Sequence, residues 1–229
     1  MAKKGRYIAA VALVLCVCAL LAACSNKGNS FKMQDGMYVD TKTNVSYYDA
    51  PACYEPIEIG TELYGTLGEA KLYKMPGADP KQWLCDASGT VFYAEGVVLP
   101  AVDGLNTSTM TLVYEKDSKE FAAAAVTDGA VISLVAKTYT EGQSIEKPYW
   151  TASMYDVNWR IRFIDETRGI CYVLAYFELT EDYIGTDDSG AEVNYGRKFI
   201  YNRFEDKMVA AGDVLDVYVA AYKDSISED

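Results

Sequence analysis

Apolar and polar residues alternate through much of the second half of this chain. Trp159, Ile161 and Phe163 interleave with Arg160 and Arg162; Asp165-Glu166-Thr167-Arg168-Gly169 then supplies turn residues, and an apolar-rich run returns over 170–179. Successive strand side chains point to opposite faces, so this spacing predicts a hairpin of two long strands. Residues 109–115 read as another strand, turned by Lys116-Asp117-Ser118-Lys119 into 120–126, whose alanines also fit a helical turn. The period then changes. Val131, Ile132, Leu134, Val135 and Tyr139 fall at helical spacing, between a Thr127-Asp128 cap and Gly142, which predicts a helix over 129–139. Tyr183-Ile184 and 197–201 flank a second turn at Asp187-Asp188-Ser189-Gly190. Asp213 could cap a last helix through Tyr222, with Leu215, Tyr218, Val219 and Tyr222 on one side.

The first half is patterned in shorter runs. Residues 37–39, 45–48, 56–59, 70–74 and 90–93 are brief clusters of β-formers. Asp79-Pro80 could open one helical turn toward Leu84, and Asp86-Ala87-Ser88-Gly89 reads as a turn. Strands that adjoin in sequence through turns, with few helices, predict an α+β fold. The expectation is a mainly antiparallel β-sheet with hairpins and one or two helices packed on a face. The change of pattern suggests a β-rich subdomain over 36–105 and an α+β subdomain over 106–229.

The extreme N-terminus follows neither period. Lys3, Lys4 and Arg6 precede an unbroken apolar run over 8–21, and Leu21-Ala22-Ala23-Cys24 closes it. The run is short of the roughly 20 residues that span a bilayer. A basic start, a short apolar stretch and small residues before a cleavage point make a secretory signal. Leu21-Ala22-Ala23-Cys24 resembles the lipobox of bacterial lipoproteins. That resemblance implies removal of residues 1–23 as a signal peptide and a diacylglyceryl group on the Cys24 thiol. It also implies a lipid anchor on the extracytoplasmic side of the membrane, in the cell envelope. Two acyl chains anchor stably where one does not. The polar stretch 24–35 reads as a flexible tether.

Composition narrows the partners. The 229 residues carry 21 basic and 33 acidic side chains; Lys3, Lys4 and Arg6 are three of the basic ones, leaving 18 basic against 33 acidic from Cys24 onward. Such a surface repels phosphate backbones, which argues against nucleic acid. No histidine occurs, which removes Ser-His-Asp and Cys-His triads and histidine-ligated metals. Neither a GxGxxG nor a GxxxxGK[ST] sequence appears, so no cofactor and no metal site is expected. Glu178, Glu181 and Asp182, at the end of a long strand, are the best-placed carboxylates for glycan hydrolysis, and read equally as solvated turn residues. Asp182, Asp187, Asp188 and Glu192 surround a turn without meeting the calcium-loop spacing.

Cys16 and Cys18 fall within the signal, leaving Cys53, Cys85 and Cys171 beside Cys24. Cys53 and Cys85 lie in polar, turn-rich stretches and are the candidate disulfide in a compartment that permits one. Cys171 alternates with Val173, Ala175 and Phe177, a face on which a thiol serves as a small apolar group. Tyrosine is abundant, 19 in all. Tyr172 and Tyr176 share a face of their strand, and with Arg160 and Arg162 opposite them across the hairpin they would form an aromatic, cationic binding surface. Tyr47-Tyr48 and Tyr149-Trp150 are weaker candidates. The expected role is a non-catalytic binding or scaffolding domain whose partner is an envelope protein or a glycan. A glycan- or solute-binding lipoprotein and a small carboxylate hydrolase are the alternatives.

Overall fold

The computed structural model describes residues 28–116, 119–147 and 155–226. Its first half comprises β1 (Asn29–Gln34), β2 (Met37–Asp40), β3 (Ser46–Asp49), β4 (Tyr54–Pro56), β5 (Leu63–Leu67), β6 (Ala70–Lys74), β7 (Trp83–Asp86) and β8 (Val91–Ala94). The second half comprises β9 (Thr109–Lys116), β10 (Lys119–Val126), helix α1 (Gly129–Glu141), β11 (Tyr155–Asp165) and β12 (Ile170–Leu179). It continues through β13 (Ile184–Thr186), β14 (Glu192–Asn194), β15 (Lys198–Asn202) and β16 (Lys207–Ala210) to helix α2 (Asp216–Ile226).

The fold is α+β, as the patterning implies. β1-β2-β3-β8-β7-β6-β5 close into a small barrel, with β1 and β5 paired in parallel. β10-β9-β11-β12-β15-β16 form an antiparallel sheet, and β4 leaves the barrel to pair with the start of β12. Closure of the barrel depends on β1, which lies within the stretch expected to be a tether. Residues 29–34 are a strand because Phe31 is buried in the barrel interior with Tyr47, Leu72, Leu84 and Phe92. The composition of that stretch is polar, yet a single large apolar side chain at a strand position suffices to place it.

The two halves share one core. Trp83, Cys85 and Val91 of the barrel pack with Tyr54, Tyr172, Leu174 and residues of both helices. Leu84 faces the barrel interior while its neighbours Trp83 and Cys85 face the shared core. Burial on both sides explains why this segment has no alternation to read. The turn expected from Asp79-Pro80 is present just before it, where the Asp79 carbonyl accepts from the Gln82 and Trp83 N–H groups at 2.9 Å and its side chain from the Lys81 N–H at 2.9 Å, and the chain becomes a strand at Trp83. Helix α1 starts where expected: the Asp128 side chain accepts from the Ala130 N–H at 2.8 Å. It buries Ile132, Val135, Ala136 and Tyr139 on the sheet. α2 begins at Asp216, with Asp213 in the turn before it.

The β11–β12 hairpin turn is fixed by Asp165. Its fully buried carboxylate accepts from the N–H groups of Thr167 at 3.1 Å, Arg168 at 3.2 Å and Asn106 at 3.2 Å, and pairs with the Arg168 guanidinium. Gly169 follows with φ +66°, and a Cβ there would meet the Pro76 carbonyl oxygen at 2.7 Å. Glycine is required both by the left-handed backbone and by the close approach of the barrel loop.

Cys53, Cys85 and Cys171 are all free and buried, so the expected Cys53–Cys85 bond is not formed. The turn-rich neighbourhoods of Cys53 and Cys85 misled: each side chain points into the shared core. Burial pushes the pKa of each thiol up, which suppresses the reactive thiolate.

Candidate functional site

The expected Tyr172/Tyr176 binding surface does not exist. Tyr172 is 2% exposed and Tyr176 fully buried. Across the hairpin Tyr172 lies opposite Phe163 and Tyr176 opposite Trp159, while Arg160 lies opposite Ala175 and Arg162 opposite Val173. The register thus puts tyrosines and arginines on opposite faces of the sheet. Because the side-chain period is two, one residue of register decides this. The tyrosine face is covered by the helices and the barrel; the arginine face is the outer one.

On the outer face Arg160 and Arg162 share two carboxylates. Arg160 pairs with Glu55 and Glu120, and Arg162 lies 3.5 Å from Glu55 and 3.8 Å from Glu120. Two guanidinium and two carboxylate groups leave this cluster neutral. Cys171 lies beneath it and hydrogen-bonds with Arg162. The face expected to be apolar around Cys171 therefore carries the ion-pair cluster at one end. Burial works against the charge of Arg162, but Cys171, Glu55 and Glu120 outweigh it and hold its pKa above the ordinary value.

Beside this cluster lies a cavity of about 830 Å³. β12 forms its floor through Val173, Ala175 and Phe177. Its walls are Ala52, Cys53 and Glu55 on one side, and the 202–204 segment of the β15–β16 turn on the other. The position follows from topology. β4 pairs with residues 170–172 of β12 and β15 with residues 175–178 on the same edge, so the two strands leave a notch between them. Among the described residues Arg160, Lys147 and Arg203 bring three cations to the lining against one carboxylate, Glu55. Arg160 is neutralised within its cluster. Among the described residues neither Lys147 nor Arg203 forms an ion pair, so both charges remain available in a strongly acidic chain.

The turn that carries Arg203 is held from behind. Asn202 accepts from the N–H groups of Phe204 at 2.8 Å and Glu205 at 3.3 Å. The Asn202 amide donates to the Tyr172 hydroxyl at 2.7 Å, which donates to Glu205 at 3.1 Å. Tyr139 of α1 donates to the other Glu205 oxygen at 2.5 Å. Burial, with Cys53 and Glu205 nearby, raises the Tyr172 pKa well above its ordinary value, so the phenol keeps the proton it donates. Tyr172 thus positions the cleft from the far side of the sheet. In front, the Phe204 ring stands 61% exposed on the rim. Lys147 is seated over the Tyr201 ring, 5.0 Å from its centroid, on a segment pinned to β16 where the Ile145 N–H bonds Met208 at 2.8 Å.

The remaining sequence candidates lie elsewhere. Glu178 accepts from the Tyr176 hydroxyl at 2.9 Å, Asp182 accepts from Asn194 at 2.9 Å, and neither these nor Glu181 lines the cavity. Among the described residues that line the cavity Glu55 is the one carboxylate, so they do not supply the two facing carboxylates that the hydrolase expectation calls for. Asp187 is taken up by Ser189 and Ala191 of its own turn, and among the described residues no cluster suited to a metal ion occurs. Tyr47 is buried in the barrel; Tyr149-Trp150 and Cys24 lie outside the described residues. Lys147, Arg203 and Phe204 escaped sequence reading. A phenylalanine in an otherwise polar turn, Asn202-Arg203-Phe204-Glu205-Asp206, was the one available sign. No protein-family model, curated protein or solved structure matches this chain.

Proposed function

We propose that this protein is a lipid-anchored, extracytoplasmic binding protein of the cell envelope, non-catalytic, with the outer-face cleft as its ligand site. The address rests on Lys3, Lys4, Arg6, the apolar run and Leu21-Ala22-Ala23-Cys24. The observation that carries the binding role is the cleft itself: a volume in the range of small-molecule sites, about 300–1,000 Å³, with Lys147 and Arg203, which form no ion pair among the described residues, beside an exposed aromatic ring. Pure scaffolding would call instead for a broad exposed apolar patch. The cleft favours a ligand.

Two measurements test this. Cys24→Ser should abolish lipid labelling and release the protein from membranes; unchanged retention of a processed Cys24→Ser form would refute the anchor. A photo-crosslinking side chain at position 204 should capture envelope material in living cells, whereas one at Ile184, exposed on the separate β13–β14 hairpin, should not. Equal capture at both positions, or none at 204, would refute the cleft as a ligand site.

A further inference from the structure

We infer that the cleft takes an acidic oligosaccharide, a chain of sugar rings bearing carboxylates. This rests on the reading of the cleft as a ligand site and specifies its chemistry. Lys147 and Arg203 are cations in the lining with no ion pair among the described residues, and the chain around them is acidic. A neutral ligand would leave both charges unused, and an anionic one meets them with charge-assisted hydrogen bonds. Arg203 offers a planar fork suited to a carboxylate, and Lys147 a compact charge. Phe204 adds an exposed ring at the rim, on which the apolar face of a sugar ring can lie. The volume of about 830 Å³ is near the upper end for small-molecule sites and holds several rings.

The sheet excludes the main peptide alternative. Extended peptides bind most simply by adding a strand to a free edge. β12 is paired with β11 on one side and with β4 and β15 on the other, so the cleft floor offers only a notch and no edge. The turn is preorganised by Asn202, Glu205, Tyr172 and Tyr139. Arg203 and Phe204 are thus presented without an ordering cost at binding.

The test is calorimetric titration of the full-length chain in detergent with three probes: an oligogalacturonate, the matching neutral oligogalactose, and an oligoglutamate peptide of equal charge. The oligogalacturonate should bind. Arg203→Glu and Lys147→Glu should each weaken it at least about tenfold, as expected for one charge-assisted bond lost to repulsion. Phe204→Ala should weaken it several-fold, and 1 M salt should weaken it through screening. All three side chains are exposed, so the variants should melt like the wild type. Failure of the oligogalacturonate to bind, equal binding of oligogalactose, preference for oligoglutamate, or indifference to both charge reversals would overturn the assignment. Capture at position 204 in cells, with oligogalacturonate unbound, would overturn the ligand class and leave the cleft standing. No capture and no binding would remove both.

Discussion

The two faces of the central sheet are built from the same strands and do opposite work. The inner face carries Trp159, Ile161, Phe163, Tyr172, Leu174 and Tyr176, all buried under the helices and the barrel. The outer face carries Arg160, Arg162, Val173 and Ala175, part-exposed beside a cleft. On the inner face the tyrosine hydroxyls are satisfied by Glu205 and Glu178, so rings and polar tips are both used structurally. On the outer face the Arg160 and Arg162 guanidinium groups neutralise carboxylates, while Lys147 and Arg203 form no ion pair among the described residues. Tyrosine enrichment, which reads as a sign of binding, is here largely a sign of packing; the binding chemistry lies with cations in loops.

The contrast can be broken experimentally, beginning with an all-or-none result. If Cys53, Cys85 and Cys171 are free and held by burial, an alkylating reagent should label none of them in the folded protein and all three after unfolding. Mass spectrometry finding a bridged pair would contradict the packing of either face. Next in size, Phe163→Ala on the inner face should cost about 3–5 kcal/mol in urea unfolding. Comparable loss from Phe204→Ala, where a change within about 0.5 kcal/mol is expected, would erase the distinction between core and rim.

Asp165→Asn should cost about 1.5–3 kcal/mol, because a buried carboxylate with several donors and an arginine partner loses its charge. Burial opposes the ionised form of Asp165, yet the bonds from Thr167, Arg168 and Asn106 prevail and hold its pKa below the ordinary carboxylate value. A depressed folded pKa means that the stabilisation is fully present above about pH 4 and fades as pH falls through the folded value. Acid unfolding followed by circular dichroism should therefore be shallower in Asp165→Asn than in the wild type. An identical acid limb would show that the carboxylate contributes nothing. The smallest effect expected is from Tyr172→Phe, about 1 kcal/mol for the bonds to Asn202 and Glu205. Its sharper consequence is on the far face, where crosslinking from position 204 should fall although Tyr172 never meets the ligand. Undiminished crosslinking would mean that the turn holds its shape without Tyr172.

Much of the secondary structure was legible in the chain. The β11–β12 hairpin, β9 and the Asp128-capped α1 each follow from local period and cap chemistry, whereas the alanines of β10 left strand and helical turn both open. β1, β7 and the cysteines were not legible, for one reason: composition was polar or mixed where a few side chains were buried by distant partners. The candidate site was hardly legible at all. Arg160 was named but assigned to the wrong companions, and Lys147 lies far in sequence from the turn that carries Arg203 and Phe204.

By itself the sequence determined the hydrophobic period of the β11–β12 hairpin, the helix start at Asp128, the acidic balance, the lack of histidine and the lipobox-like N-terminus. These depend on neighbouring residues or on simple sums, which the order of side chains contains. Tertiary structure alone decided which face met the core, that three thiols stayed apart, and that Lys147 and Arg203 share a notch between β4 and β15. Such outcomes depend on register and on long-range packing, and neither is written in any short stretch of chain.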